Sequence, residues 1–289
     1  MKLIPAYAYT SAWHGLTCLA LSFSLAFLPS MLRAQEKEFK LWTDKTPKEV
    51  VLGKGTLKEE TSPSGVQKIT YLPQPTLQKY PAPGSKRDKV IIVCPGGAYN
   101  VLAVNLEGWE ICQWLNSQGY TAYLLRYRVP KNRLGALQDA QRAIRMVRSQ
   151  NPGKQIGIMG FSAGGSLSAR AATRFATPSY TATDDIDQLS CRPDFCALIY
   201  PAYLDEGPNH TLTPELTLSP ETPRFFIFQT EKDPYGNSAF TMGAALKHNN
   251  TDVELHIYPG GGHGYGLRQA SAKVATIWPL LMAQWLETF

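Results

Sequence analysis

Hydrophobic and polar positions follow two rhythms along this chain, and the change falls near Lys89. Residues 35–88 are rich in Lys, Glu, Thr, Pro and Gly. One stretch there, Val66-Gln67-Lys68-Ile69-Thr70-Tyr71-Leu72, alternates as an edge strand does. The rest of 35–88 reads as an N-terminal arm, with a loop from 73 to 85. From Lys89 onward the pattern changes: 90–94 is a continuous apolar run, 195–200 and 224–229 read as two more buried strands, and 121–127, 156–160 and 253–258, the last with His256 alternating within it, read as strands. Runs of this kind are expected of strands buried on both faces. Helical spacing fills the gaps. Trp109, Cys112 and Leu115 share one face of a helix near 105–118. Leu137, Ala140, Ile144 and Val147 form a second apolar stripe, and Arg142, Arg145 and Arg148 fall off it and read as a solvated face. Further helices are expected at 163–175, at 237–248 and from 271 onward, with Pro279 kinking or restarting the last. Strands alternating with helices predict an α/β fold with a mainly parallel central sheet covered on both faces. The polar segment 202–223 breaks the alternation and reads as a small insertion or lid near the active edge.

The first residues change the domain picture. After Lys2, an apolar run at 16–28 ends in Pro29-Ser30-Met31-Leu32-Arg33-Ala34. It is short for a membrane span and reads as a secretory signal peptide over 1–34, which implies a secreted or periplasmic protein. An uncleaved anchor is the alternative. The expected organisation is therefore signal peptide 1–34, arm and edge strand 35–88, and catalytic domain 89–289. Hydrophobic residues are 44% and charged residues 18%, values of a globular chain. The net charge of +6 falls to +4 without 1–34 and is spread along the sequence, so nucleic acid is not an expected partner. Of five cysteines, Cys18 leaves with the signal, while Cys94 and Cys112 read as core. Cys191 and Cys196 are close enough to pair in an oxidising compartment, and a buried free pair fits equally well. No Cys/His cluster suggests a metal, and no organic cofactor is implied.

Candidate chemistry centres on Gly160-Phe161-Ser162-Ala163-Gly164, a G-x-S-x-G sequence between a short strand and a helix. A serine that attacks a carbonyl must project from a tight strand-to-helix turn, and small residues on either side let the backbone make it. Such a serine needs a base. His263 lies in the glycine-rich loop Gly260-Gly261-Gly262-His263-Gly264-Tyr265-Gly266, after the last strand, where an imidazole reaches the nucleophile. His210, His248 and His256 lie in the insertion, at a helix end and within a strand. The base needs an acid to fix its tautomer. Asp233 follows the strand at 224–229, with Glu231 as its rival. The order Ser162, Asp233, His263 is that of the α/β-hydrolases. The oxyanion needs preorganised donors. Ala163 offers one N–H, and Gly97 and Ala98 in Cys94-Pro95-Gly96-Gly97-Ala98-Tyr99 offer two more.

The ordered set CPGGAY, LRYR, GFSAGG, SPETPRFFIFQTEKDP and ELHIYPGGGHGYGL resembles the α/β-hydrolase superfamily over about residues 85–289. Within it the chain resembles secreted acetyl-xylan-esterase-like carbohydrate esterases, relatives of hormone-sensitive-lipase-type esterases. The resemblance implies Ser162 as nucleophile, His263 as base and Asp233 as acid. It also implies acetate as the acyl group and a plant-type polysaccharide such as xylan as substrate. Two departures stand out: Pro95 replaces a common histidine, and Ala98 replaces a third glycine. Glu107 follows the oxyanion loop and could meet a sugar hydroxyl, the loop backbone or Arg126. Tyr99, Tyr203, Tyr235 and Tyr265 fall in loops at the active edge, and Tyr99, Glu107 and Tyr265 are expected to bind substrate. The expected protein is a cofactor-free serine esterase whose oligomeric state the sequence leaves open. The alternatives are a serine peptidase on the same fold and a non-catalytic carbohydrate-binding relative.

Overall fold

The computed structural model describes residues 37–289 except 44 and 269–272, so the signal-peptide reading of 1–34 lies outside the described residues. The elements in chain order are β1 (Lys37–Lys40), β2 (Lys58–Thr61), β3 (Gln67–Tyr71), β4 (Thr76–Tyr80), β5 (Lys89–Cys94), β6 (Leu102–Ala103), α1 (Glu110–Ser117), β7 (Thr121–Arg126), α2 (Arg133–Gln150), β8 (Gln155–Phe161), α3 (Ala163–Thr173), β9 (Phe195–Ile199), β10 (Arg224–Thr230), α4 (Asn237–His248), β11 (Val253–Tyr258) and α5 (Val274–Leu286).

Eight strands form the central sheet in the order β1-β4-β7-β5-β8-β9-β10-β11. From β7 to β11 all neighbours are parallel, while β1 and β4 are antiparallel. The apolar runs at β5 and β9 are buried at every position, as two-sided burial requires. One core packs α2, α3 and α4 on one face, and the other packs α1 and α5 on the opposite face. Ridges of Leu137, Ala140, Ile144 and Val147 on α2 enter the first core, and Trp278 and Met282 on α5 enter the second. The helix α5 runs through Pro279. Among the described residues no helix is long and apolar enough to cross a membrane.

Three expectations need correction. The loop expected over 73–85 contains β4, which joins the central sheet between β1 and β7. Its Leu77 and Tyr80 are buried, but short length and flanking prolines masked the pattern. The edge strand at 66–72 belongs instead to a small second sheet, β2-β3-β6, where Lys68 faces Ala103. Finally, Arg142 and Arg145 do not face solvent. Each is about one-twentieth exposed. Arg142 donates to Asp184 (2.6 Å) and Asp187 (2.8 Å), and Arg145 Nε donates to the Leu189 carbonyl (2.9 Å). The segment 184–190 thus covers that side of α2 with its own acids. Cys191 and Cys196, the possible disulfide, are both free and buried.

Trp42, just after β1, is tied to α2 through a buried carboxylate. Asp139 on α2 accepts from Trp42 Nε1–H (2.7 Å) and from the Arg128 backbone N–H (2.9 Å) and Nε–H (2.9 Å). Asp139→Ala leaves the Arg128 guanidinium buried without its counter-charge. Breaking such a pair by removing one partner costs about 3–5 kcal/mol. A loss of that size is expected in urea unfolding at neutral pH, and a loss below about 1 kcal/mol would show the pair to be dispensable.

Candidate active site

The turn from β8 to α3 forces Ser162 into a left-handed backbone, φ 51° and ψ −120°. Non-glycine residues occupy this region rarely, and when they do the surroundings hold them there. Here the Ser162 N–H donates to the Ile199 carbonyl (3.2 Å), and its carbonyl accepts from Ser166 and Ala202 N–H, both at 3.2 Å. Gly164 packs directly on the carbonyls of Cys94 and Pro95, and Gly160 packs on the Gly164 carbonyl. A methyl at either position would meet backbone, which is the local reason for both glycines. Ser162 is 9% exposed, at the floor of an opening.

Two loops at the carboxyl ends of β10 and β11 meet this serine. His263 Nε2 lies 2.7 Å from Ser162 Oγ, and Nδ1 lies 2.7 Å from Asp233 Oδ2. Asp233 Oδ1 accepts the Tyr235 N–H (2.8 Å), which leaves its carboxylate held at both oxygens. The histidine loop is bound to β10: Thr230 Oγ1 donates to the Gly262 carbonyl (2.7 Å). Gly261 there has φ +73° and packs against Thr230, where a larger residue would collide. The rival acid Glu231 is exposed, and among the described residues it reaches only the Gly260 N–H, at 3.3 Å. The arrangement can take a proton from Ser162 as its oxygen attacks a carbonyl, and can hold the imidazolium that results.

The loop after β5 supplies donors. Gly97 has φ +133° and Ala98 φ 56°, and the Gly97 carbonyl turns inward to accept from Asn100 (2.9 Å) and Val101 (3.0 Å). Among the described residues no protein acceptor takes the N–H of Gly97 or Ala98. Ala163 opens α3, where first-turn N–H groups have no intrahelical acceptor. Where a histidine is common, Pro95 is anchored through its carbonyl, which accepts from the Tyr127 hydroxyl (2.6 Å).

A cavity of about 320 Å³ lies over these groups. Gly97, Ala98, Glu107, Ser162 and His263 line its floor, with Val101, Ala103 and Leu106 on its apolar side. Tyr203, Tyr235 and Lys68 complete the rim. The aromatic rim therefore comes from Tyr203 and Tyr235. Tyr99 and Tyr265, expected to bind substrate, are 2% and 4% exposed and do not line the cavity. Tyr99 packs among Tyr127, Tyr203 and the Arg133 guanidinium, and Tyr265 stacks edge-on against Tyr200. Nor does Arg126 reach Glu107. It pairs with Glu38 on β1 and donates to Gln78 on the adjacent strand β4. Lys68, Tyr127 and Tyr200 carry no motif that a sequence reading could seize.

Burial pushes the Glu107 carboxyl up, against the pull of its two hydrogen bonds and of His263. Burial likewise pushes the Tyr200 phenol well up, and the Cys94 thiol up to about 12, which removes Cys94 as a nucleophile. Among the described residues no group of three or more His, Cys, Asp or Glu comes together to hold a metal ion.

Comparison with known proteins gives a consistent set. The model of the dienelactone hydrolase family matches residues 122–288. An acetylxylan esterase of Xylanibacter ruminicola is 28% identical over 216 residues, 64% of this chain and 42% of that protein. Endo-1,4-beta-xylanase B of Butyrivibrio fibrisolvens is 29% identical over 211 residues, 62% of this chain and 32% of that protein. The chain thus spans less than half the length of these curated relatives. Among solved structures, an acetyl ester-xyloside bifunctional hydrolase from Caldicellulosiruptor lactoaceticus superposes with a TM-score of 0.66 at 30% identity, covering 82% of this chain and 97% of that one.

Proposed function

The chain belongs to the dienelactone hydrolase family and has the α/β-hydrolase fold, and on that premise we propose that it is a secreted serine esterase that removes short acyl groups, acetate first, from xylan-type polysaccharide. The observation that carries this reading is the continuous hydrogen-bonded series Ser162–His263–Asp233 beneath the cavity. Ser162 Oγ attacks the ester carbonyl while His263 Nε2 takes its proton. The N–H groups of Gly97, Ala98 and Ala163 hold the oxyanion. Collapse expels the sugar alkoxide, which receives the proton from His263 and leaves as alcohol. Water then attacks the acyl-serine by the same route, releasing acetate and restoring Ser162. The cavity has room for an acetyl group beside a sugar ring, and Tyr203 and Tyr235 offer faces for that ring. The apolar run at 16–28, read as a signal peptide, supports export.

The names of the relatives include both acetylxylan esterase and xylanase, so the two chemistries must be separated. A glycosidase needs two carboxylates flanking the bond, and Glu107 is the one carboxylate among the residues that line the cavity. The experiment supplies acetylated xylan, deacetylated xylan and 4-nitrophenyl acetate, and measures acetate and new reducing ends. Acetate from the first and third, with no reducing ends from the second, is expected. A fluorophosphonate should add its mass to the peptide containing Ser162. Reducing ends from deacetylated xylan would overturn the reading in favour of a glycosidase. Acetate from the small ester alone would withdraw xylan as the substrate.

A further inference from the structure

We infer that Glu107 is a positioning residue for the reaction: its carboxyl group joins the oxyanion loop to the histidine loop through the Gly96 N–H and the Tyr200 hydroxyl. The inference rests on the ester-hydrolase reading above.

Glu107 lies in a wide π-helical turn, Asn105–Trp109, that leads into α1. Turns of this kind are rare and concentrate at functional sites. The turn delivers the side chain inward, where it is 3% exposed. Oε2 accepts the Gly96 N–H at 2.8 Å, next to the oxyanion donor Gly97. Oε1 accepts the Tyr200 hydroxyl at 2.8 Å. That hydroxyl oxygen in turn accepts the Gly266 N–H at 2.9 Å, three residues beyond His263. The Gly96 backbone is pressed between Glu107 Oε2 and Ser162 Cβ, with no room for a side chain. Tyr200 closes the circuit: its ring lies 5.2 Å from that of His263, centre to centre.

Geometry, not charge, carries this role. Burial works against the charged form of Glu107 and pushes its carboxyl up. Among the described residues Glu107 has no ion pair with lysine or arginine, and its partners are the Gly96 N–H and the Tyr200 hydroxyl, one on the oxyanion loop and one that reaches the histidine loop through Gly266.

The test separates positioning from stability. In the otherwise unaltered enzyme, Glu107→Gln, which replaces one of the two acceptor oxygens with a donor, should lower kcat on 4-nitrophenyl acetate about 10–100-fold with little change in KM. Tyr200→Phe, which removes one of the carboxyl group's two donors and keeps the ring, should lower kcat by less, and serves if Glu107→Gln does not fold. A lower melting temperature with kcat and KM unmoved would overturn the inference and leave Glu107 a structural staple. Undiminished hydrolysis by Ser162→Ala would instead overturn the serine mechanism on which the inference rests, independently of the Glu107 result.

Discussion

Replacing Ser162 with alanine is expected to lower kcat for ester hydrolysis about 10⁶-fold, the loss typical when a triad serine is removed. Among the described residues the side chain has a single polar partner, His263 Nε2, so its loss leaves no buried group stranded except an imidazole that the cavity can hydrate. The fold should persist, since the backbone bonds to Ile199, Ser166 and Ala202 use main-chain atoms only. Ser162→Gly gives a sharper form of the same result. Glycine occupies φ 51° without the clash that serine tolerates there. The glycine variant should be as inactive as alanine and more stable by about 1 kcal/mol. Stability gained as activity vanishes is the signature of strain held in place for function. Stopped-flow assay on 4-nitrophenyl acetate and thermal unfolding read both quantities. A loss of only tenfold would mean that another nucleophile, or no covalent step, carries the reaction.

The reach of the sequence depended on how local each feature is. The buried strands announced themselves through apolar runs, because both faces of a parallel sheet are covered. The turn at Ser162 was legible because Gly160 and Gly164 are required by contacts within a few residues, or with the adjoining strand end. Features that depend on distant partners were not. Arg142 is buried because Asp184 and Asp187 arrive from 42 and 45 residues away, and no pattern within α2 could signal it. Glu107 stands beside the oxyanion loop in the sequence, but its partner Tyr200 lies 93 residues on, so nothing local points to that partner rather than to Arg126. β4 failed for another reason. A five-residue strand that borders antiparallel neighbours is half-polar, and between prolines it looks like a loop. The tyrosines divide likewise: all four loops reach the active edge, but whether a ring covers the cavity or the core is settled by packing that the sequence does not display.

Asp233→Asn is the second large effect, expected near a 10⁴-fold loss in kcat with the geometry almost unchanged. The reason is the pattern of donors around this one side chain. As a carboxylate, Asp233 accepts twice, from the Tyr235 N–H at Oδ1 and from the His263 ring at Oδ2. An asparagine amide accepts on one side only. If its oxygen keeps the histidine, its NH₂ confronts the Tyr235 N–H, donor against donor in a buried site. If its oxygen keeps Tyr235, its NH₂ faces His263 Nδ1, which must then be the unprotonated nitrogen. The second arrangement satisfies every group and is therefore favoured, but it places the ring proton on Nε2, facing Ser162. An imidazole in that tautomer cannot accept the serine proton. Activity falls because the base is turned off, with no loss of folding and little change in KM. Glu231→Gln is the control, since Glu231 is exposed and holds only a long bond to Gly260. It should leave kcat within a few-fold of the parent, as expected of an exposed charge screened by solvent. The reverse outcome, a large loss at Glu231 and a small one at Asp233, would transfer the role of the acid to Glu231 and require the loop after β10 to rearrange when substrate binds.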